Sequence, residues 1–366
     1  PTENNGGTIE SGFTGRGDDL IVVPRLELLH QAYIDGGAGH NTLQIDAKGT
    51  YAQPLEVLNV QEVKVIDLPN FYTTNYGSGD GNLQNTEFTD STLNFPNPVG
   101  SGSNDSWIDL SNVQDIEKLV ITDQGSDLAN YNNNNGNGST DSGNLFVVGV
   151  RNGATLRLEG AIISGTTTVQ YGPGINADGD GKFNLELAIG ETNSASDINI
   201  VQNLDVMEIK SEGIANNIDA FFGGGHLSQL FITGTGHFAV DSDIGGSFDS
   251  STPIKIDASA NTGGVDLIIS DAQNVDIVGS KGDDRFIINT DEVDGWPGND
   301  EVVTINGGVG DNYYEVHGAD KVAISNADGD NDYEIGYGSP AVAEVIITAG
   351  NGDNTLEIAN VAVGNI

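Results

Sequence analysis

The apolar residues of this chain come in short runs. Four to eight β-branched or aliphatic residues stand between clusters of Gly, Asn, Asp and Ser, and the pattern recurs along the whole chain. Runs of that length and punctuation read as strands. The clearest are "VKVIDL" (63–68), "KLVIT" (118–122), "DINIV" (197–201), "DLIIS" (266–270), "RFIIN" (285–289) and "EVIIT" (344–348). Helical periodicity is nearly absent, and the best amphipathic stretch is the short "PRLELLHQAY" (24–33). The pattern predicts an all-β chain.

Two phrases recur. "TGRGDDLIV" (14–22), "GGAGHNTLQ" (36–44), "GSKGDDRFI" (279–287), "GGVGDNYYE" (307–315), "NADGDNDYE" (326–334) and "AGNGDNTLE" (349–357) align without gaps. Position four is always Gly, position six is Asp or Asn, and position eight is Leu, Ile, Phe or Tyr. "NADGDGKFN" (176–184) is a degenerate seventh copy. The second phrase is a polar turn, a short apolar strand and another polar turn. In "DAQNVDIVGSKG" (271–282) and "HGADKVAISNADG" (317–329) that strand runs straight into a nonapeptide.

Spacing selects the architecture. Successive position-six residues lie 22 apart at the start of the chain, and 28, 19 and 23 apart at its end. One loop per coil of roughly 20–30 residues is a solenoid period. The expected fold is a parallel β-helix or β-solenoid, with its Gly-Asp/Asn loops stacked along one edge and contacts only between neighbouring coils. Polar stretches at 73–106 and 126–144 read as long loop insertions. The expected organisation is a frayed stretch at 1–10, N-terminal coils over 11–72 and the insertion at 73–106. A central solenoid over 107–275 follows, then C-terminal nonapeptide coils over 276–366, all in one continuous body.

Composition narrows the function. The 366 residues include 54 acidic and 13 basic side chains, a net charge of -41. Such a surface repels nucleic-acid phosphates and anionic lipid. It also destabilises its own compact state unless cations neutralise it. There is no Cys, so disulfides, thiol catalysis and Cys-ligated zinc are excluded. No apolar run reaches the roughly 18–20 residues of a membrane span. The opening "PTENNGG", without Met, reads as the start of a processed chain or a fragment.

The nonapeptide resembles the calcium repeat G-G-x-G-x-D-x-U-x of RTX proteins. That bacterial family, exported by type I secretion, includes surface-layer proteins, adhesins, epimerases and toxins. The resemblance covers six loops and about 54 residues. It implies an extracellular, calcium-binding protein in which stacked loop carbonyls and position-six carboxylates hold the ion. That role falls on Asp19 and Asp284; Asn41, Asn312, Asn331 and Asn354 occupy the same position and depart from the family pattern.

Chemistry supports the idea apart from the name, because calcium takes 6–8 hard oxygens and a glycine turn with one carboxylate supplies part of that shell. Two further stretches offer linear sets: Asn176, Asp178 and Asp180 in "NADGDG" (176–181), and Asn326, Asp328, Asp330 and Asp332 in "NADGDND" (326–332). Leu187 stands where an EF-hand requires its twelfth-position Glu, so the first is not an EF-hand. Asp291, Asp294, Asp300 and Glu301 cluster around Trp296. For the Asn copies a second arrangement stays open, a stacked amide ladder without metal.

Catalytic signatures are sparse. The five His form no H-x-x-x-H pair, and neither a G-x-S-x-G elbow nor a P-loop occurs. An "RGD" at 16–18 lies inside the first nonapeptide. A β-helix lyase or epimerase would hold Arg151 or Arg157, evenly spaced and read as lying on one strand, in a groove beside calcium. Tyr72, Tyr76, Trp107, Trp296, Tyr313 and Tyr337 are candidates for stacking on sugars. The sequence thus predicts a non-enzymatic, extracellular calcium-binding structural protein that assembles with itself into a cell-surface layer or filament. The alternative is an adhesin module with cell-surface polysaccharide as partner; a polysaccharide lyase or epimerase ranks third.

Overall fold

Alternate residues of almost every strand point inward. Lys182–Ala188 alternates between half-buried and buried positions throughout, with Phe183, Leu185 and Leu187 inside. Such alternation folds stably when the next coil presents the same pattern in register. The computed structural model describes residues 11–12, 16–66, 106–122, 145–160, 167–171, 182–188, 194–244, 253–290, 301–336 and 342–360, with breaks of one to four residues inside these ranges. Over them the chain is a β-solenoid. Strands form four sheets of 13, 8, 6 and 3 strands, and neighbouring coils pair in parallel. One inward column of the thirteen-stranded sheet runs Leu43, Val63, Leu119, Leu156, Leu185, Ile209 and Ile232 from coil to coil. A single apolar core extends from Ile21 to Val345.

The cross-section changes along the axis. Up to Phe222 the coils also feed a six-stranded sheet, and near the start a three-stranded one. From Gln229 onward every strand among the described residues belongs to the thirteen- or the eight-stranded sheet. The largely aliphatic core of this two-sheet part contains an aromatic stack. Phe286, Tyr314 and Tyr333 stack on successive coils, with centroids 6.3 and 5.5 Å apart.

Within the short amphipathic stretch 24–33 the described residues form a single 3-10 turn, Leu26–Leu29, followed by a hydrogen bond from the Ala32 N–H to the Leu29 carbonyl. It serves as a corner that sends Leu29 into the core. Arg151 and Arg157 do not share a strand. Arg151 follows Leu145–Val150 of the six-stranded sheet, the chain turns at Gly153 (φ 81°), and Arg157 lies in Thr155–Glu159 of the thirteen-stranded sheet. Among the described residues no helix is long and apolar enough to cross a membrane.

Candidate functional site

The last four nonapeptides form one edge. Each is the corner where the chain leaves the thirteen-stranded sheet for the eight-stranded one, as between Asn274–Val278 and Arg285–Asn289. The nonapeptide at 36–44 makes a different corner, from Tyr33–Asp35 of the three-stranded sheet into Thr42–Asp46 of the thirteen-stranded sheet.

Position-four glycine is required twice over at these corners. Gly39, Gly310, Gly329 and Gly352 have φ of 121°, 107°, 109° and 132°, a region that side chains disfavour. A Cβ on any of them would also collide with the position-four carbonyl oxygen of the preceding loop: Gly17, Gly282, Gly310 and Gly329 respectively.

Position six points inward and builds a ladder. The Asn312 side-chain oxygen accepts the Asp284 backbone N–H (2.9 Å), that of Asn331 accepts the N–H of Asn312 (3.2 Å), and that of Asn354 accepts the N–H of Asn331 (3.1 Å). Each amide then donates to its own position-four carbonyl, Asn312 to Gly310 and Asn331 to Gly329. It donates as well to the side-chain oxygen of the next rung. Asn41 makes the N-terminal equivalent, accepting from Asp19 N–H and donating to the Asn59 carbonyl. Asp19 is partly buried, and its Oδ2 has no hydrogen-bond partner among the described residues.

Asp284 heads the C-terminal ladder. Its carboxylate lacks the donor an Asn would contribute, and Ser280 supplies donors instead. The Ser280 hydroxyl donates to Oδ1 (2.6 Å) and the Ser280 N–H to Oδ2 (2.7 Å), while Val265 N–H also reaches Oδ1. Burial pushes the Asp284 carboxyl up to about 6, against the pull of these bonds.

Position five faces outward and makes a second column. Asp283 accepts from Asp311 N–H, Asp311 from Asp330 N–H, and Asp330 from Asp353 N–H. Asp18 accepts from His40 N–H in the same way. All five of these Asp residues are exposed. Reading the nonapeptide at position six alone misses Asp18, Asp283, Asp311 and Asp353. The signal that finds them is an Asp at position five in five of six copies.

These contacts bear on the fit of a calcium ion. The oxygens of Asn312, Asn331 and Asn354 face backbone and amide donors, and both oxygens of Asp284 are hydrogen-bonded in the interior. That donor set does not fit a calcium shell, which takes its oxygens from groups turned toward the ion. For the C-terminal Asn copies the amide ladder is the arrangement present. The "NADGDND" set is dispersed as well. Asn326 is buried, accepting from the Tyr314 hydroxyl and donating to the Tyr333 hydroxyl, whereas Asp328 and Asp330 are exposed and Asp332 begins a strand. Among the described residues no three His, Asp or Glu side chains converge as a metal-holding group. Asn176, Asp178, Asp180, Asp291, Asp294, Trp296 and Asp300 lie outside the described residues.

Arg157 anchors a different cluster, on the outer face of the thirteen-stranded sheet. It bonds Glu159 (2.6 Å), Glu212 (2.8 Å) and Glu186 (3.1 Å), while Lys118 bonds Glu186 and Lys210 bonds Glu212. Burial works against the guanidinium charge, but the three carboxylates outweigh it and raise the group further. The same bonds hold Glu159 and Glu212 below the usual carboxylate range. An arginine so engaged is turned toward the protein, not toward an anionic sugar. Of the aromatic candidates, Tyr313 is half-buried beneath the Arg285 guanidinium, 5.7 Å from its ring. Tyr72, Tyr76 and Tyr337, and the side chain of Trp107, lie outside the described residues. Comparison with protein families, with curated proteins and with solved structures returns no match.

Proposed function

We propose that this chain is an extracellular structural protein: a stiff acidic β-solenoid that assembles with copies of itself into a cell-surface layer or filament, with calcium neutralising its acidic face. The observation that carries the reading is the exposed column Asp283, Asp311, Asp330 and Asp353, one carboxylate per coil, on a chain of net charge -41. Parallel strands fix such groups about 4.8 Å apart. Like charges that close oppose the compact state until counter-ions gather. The inner ladder holds its coils with protein donors and acceptors alone, so in this reading calcium acts on surface charge, not as a core staple. Folding is then favoured where divalent cations are plentiful.

The test is a melting curve in chelator, in millimolar calcium, and in sodium chloride of equal ionic strength. Calcium is expected to raise Tm by several degrees beyond the sodium control. The Asp311→Asn/Asp330→Asn variant is expected to lose most of that excess. Superimposable curves would end the calcium part of the proposal. Electron microscopy of the same samples reads the assembly part.

A further inference from the structure

The two ends of the described coil stack carry matching halves of the ladder. Within the chain, the position-six N–H groups of Asp19, Asp284, Asn312 and Asn331 each donate to the position-six side chain of the coil that follows, while that of Asn41 donates to Gln61 Oε1. Each position-five carboxylate accepts the position-five N–H of the coil that follows. Thr355–Ile358 is the last strand of the eight-stranded sheet. Beyond it, among the described residues, there is no coil to accept from Asn354 N–H or to donate to Asp353. Leu20–Val23 is the first strand of the thirteen-stranded sheet. Before it, among the described residues, there is no coil to donate to the Asp19 side chain or to accept from Asp18 N–H. What the last coil offers is what the first coil lacks.

We infer that these ends join. The last coil of one molecule stacks on the first coil of a second copy, head to tail, and the ladder continues across the junction from Asn354 to Asp19 and from Asp353 to Asp18. The proposal rests on the self-assembly reading above and specifies its contact.

Three observations support a second copy as the occupant. First, Gly17 is a position-four glycine with no reason of its own to be glycine: it lies outside the left-handed region, and a Cβ there would meet nothing. At Gly310, Gly329 and Gly352 the preceding position-four carbonyl forbids a Cβ. A coil stacked before Gly17, with the Gly352 carbonyl against it, would impose the same limit. Second, position eight is buried in five copies, at Ile21, Leu43, Phe286, Tyr314 and Tyr333, but Leu356 is 49% exposed. In the register that pairs Thr42 with Leu20 and Thr355 with Asp332, a following first coil would set Ile21 over Leu356. Third, the ladder separations are nearly equal, 22 residues from Asp19 to Asn41 and 23 from Asn331 to Asn354, although the first loop leads into the thirteen-stranded sheet and the last leads out of it. Both end strands are four residues long, and each has one strand neighbour in its sheet among the described residues, Thr42–Asp46 for the first and Asp332–Ile335 for the last.

The contact is heterologous and does not close on itself, so it generates filaments. The test is sedimentation velocity of the full chain over a concentration series in millimolar calcium. Wild type is expected to grow with concentration. Gly17→Val blocks the head and Leu356→Lys the tail; both sites are open in the single molecule, so monomer Tm is expected to stay unchanged. Each variant alone is expected to associate at least about tenfold more weakly than wild type. Their equimolar mixture retains one good head and one good tail, and is expected to stop at a heterodimer. Variants that polymerise like wild type would overturn this junction while leaving assembly through another face. A wild type that stays monomeric would overturn the pairing of copies and assign the ladder ends to a coil outside these 366 residues; the calcium melting curves would stand or fall separately.

Discussion

Between Lys118 and Glu212 the solenoid binds its coils across a flat outer face with charges of both signs. Between Gly279 and Asn354 it binds them at a corner with amides and backbone. The first region carries Lys118, Arg157, Lys182 and Lys210 among Glu159, Glu186, Glu208 and Glu212 on adjacent strands. Parallel register places these long side chains beside partners on their own strand or one or two coils away, 26 residues for Lys182 and Glu208 and 55 for Arg157 and Glu212. A corner has no such room. Its side chains are short, its backbone turns at φ above 100°, and each loop contacts only the loop above and below. Neutral Asn suits that place because one amide both accepts and donates, so a stack of identical residues satisfies itself. The lesson is that a chain of net charge -41 pairs Lys118, Arg157, Lys182 and Lys210 with carboxylates on the outer face, and at the inward positions of its C-terminal corners keeps neutral Asn at every rung but Asp284.

The sharpest way to break the corner is a side chain at position four. Gly329→Ala forces a Cβ into the Gly310 carbonyl at a φ of 109°. The expected loss is about 3 kcal/mol, read as a lowered urea midpoint. Gly17→Ala, at the same motif position but in open space, is the control and is expected to change stability by less than about 0.5 kcal/mol. Equal effects at the two sites would mean that coil stacking is not what selects the glycine.

The flat face breaks at Arg157. Arg157→Ala leaves Glu159 without its guanidinium and removes one of two cations from Glu186 and from Glu212. The expected loss is about 2 kcal/mol, shrinking in high salt as the uncompensated carboxylates are screened. Arg157→Lys is expected to recover less than half, since one ammonium does not reproduce a fork that reaches three carboxylates. A loss independent of salt would point to lost packing instead of charge.

Much of the fold is legible in the sequence, because strand alternation and coil spacing are both local signals. "KLVIT", "RFIIN" and "EVIIT" coincide with strands, and the gaps between position-six residues are the ladder separations themselves. What spacing does not encode is how many strands share a coil. The first and last loops therefore look alike, yet they join different pairs of sheets. Nor does it encode which way position six faces. Asp and Asn present the same oxygen to a metal or to a backbone N–H, and burial decides between them. The local clue is Ser280, a hydroxyl two residues before Gly282 in the loop that keeps an inward Asp, where the other C-terminal loops have Gly308, Ala327 and Gly350. The Arg157 cluster is hidden from the sequence for another reason: its partners are 2, 29 and 55 residues away, and only strand register brings them together.

Asp284 sharpens the comparison most finely, because it is the one carboxylate in the C-terminal ladder. Its folded carboxyl stands at about 6 against an ordinary 3.8, chiefly through burial, with Asp266 adding to the rise. Between those values the folded chain holds the proton more tightly than the unfolded chain does. This group's contribution to stability is therefore greatest below about pH 4, falls as pH rises toward 6, and stays low above it. A rise of that size sets a ceiling of about 3 kcal/mol on the fall. Asp284→Asn removes the charge and restores an N–H able to donate to the Gly282 carbonyl, as Asn312 does to Gly310. It also faces the Ser280 N–H with a donor where Oδ2 had been an acceptor, which offsets part of the gain. Urea denaturation at about pH 7.5 is expected to find the variant more stable than wild type by about 1 kcal/mol, while at about pH 4 the two are expected to be equal or wild type slightly ahead. Other acids titrate in both proteins alike, so the informative quantity is the difference between them. A difference that does not change with pH would mean that the Ser280 donors already hold the carboxylate ionised at no cost, and that Asp and Asn are interchangeable at the head of the ladder.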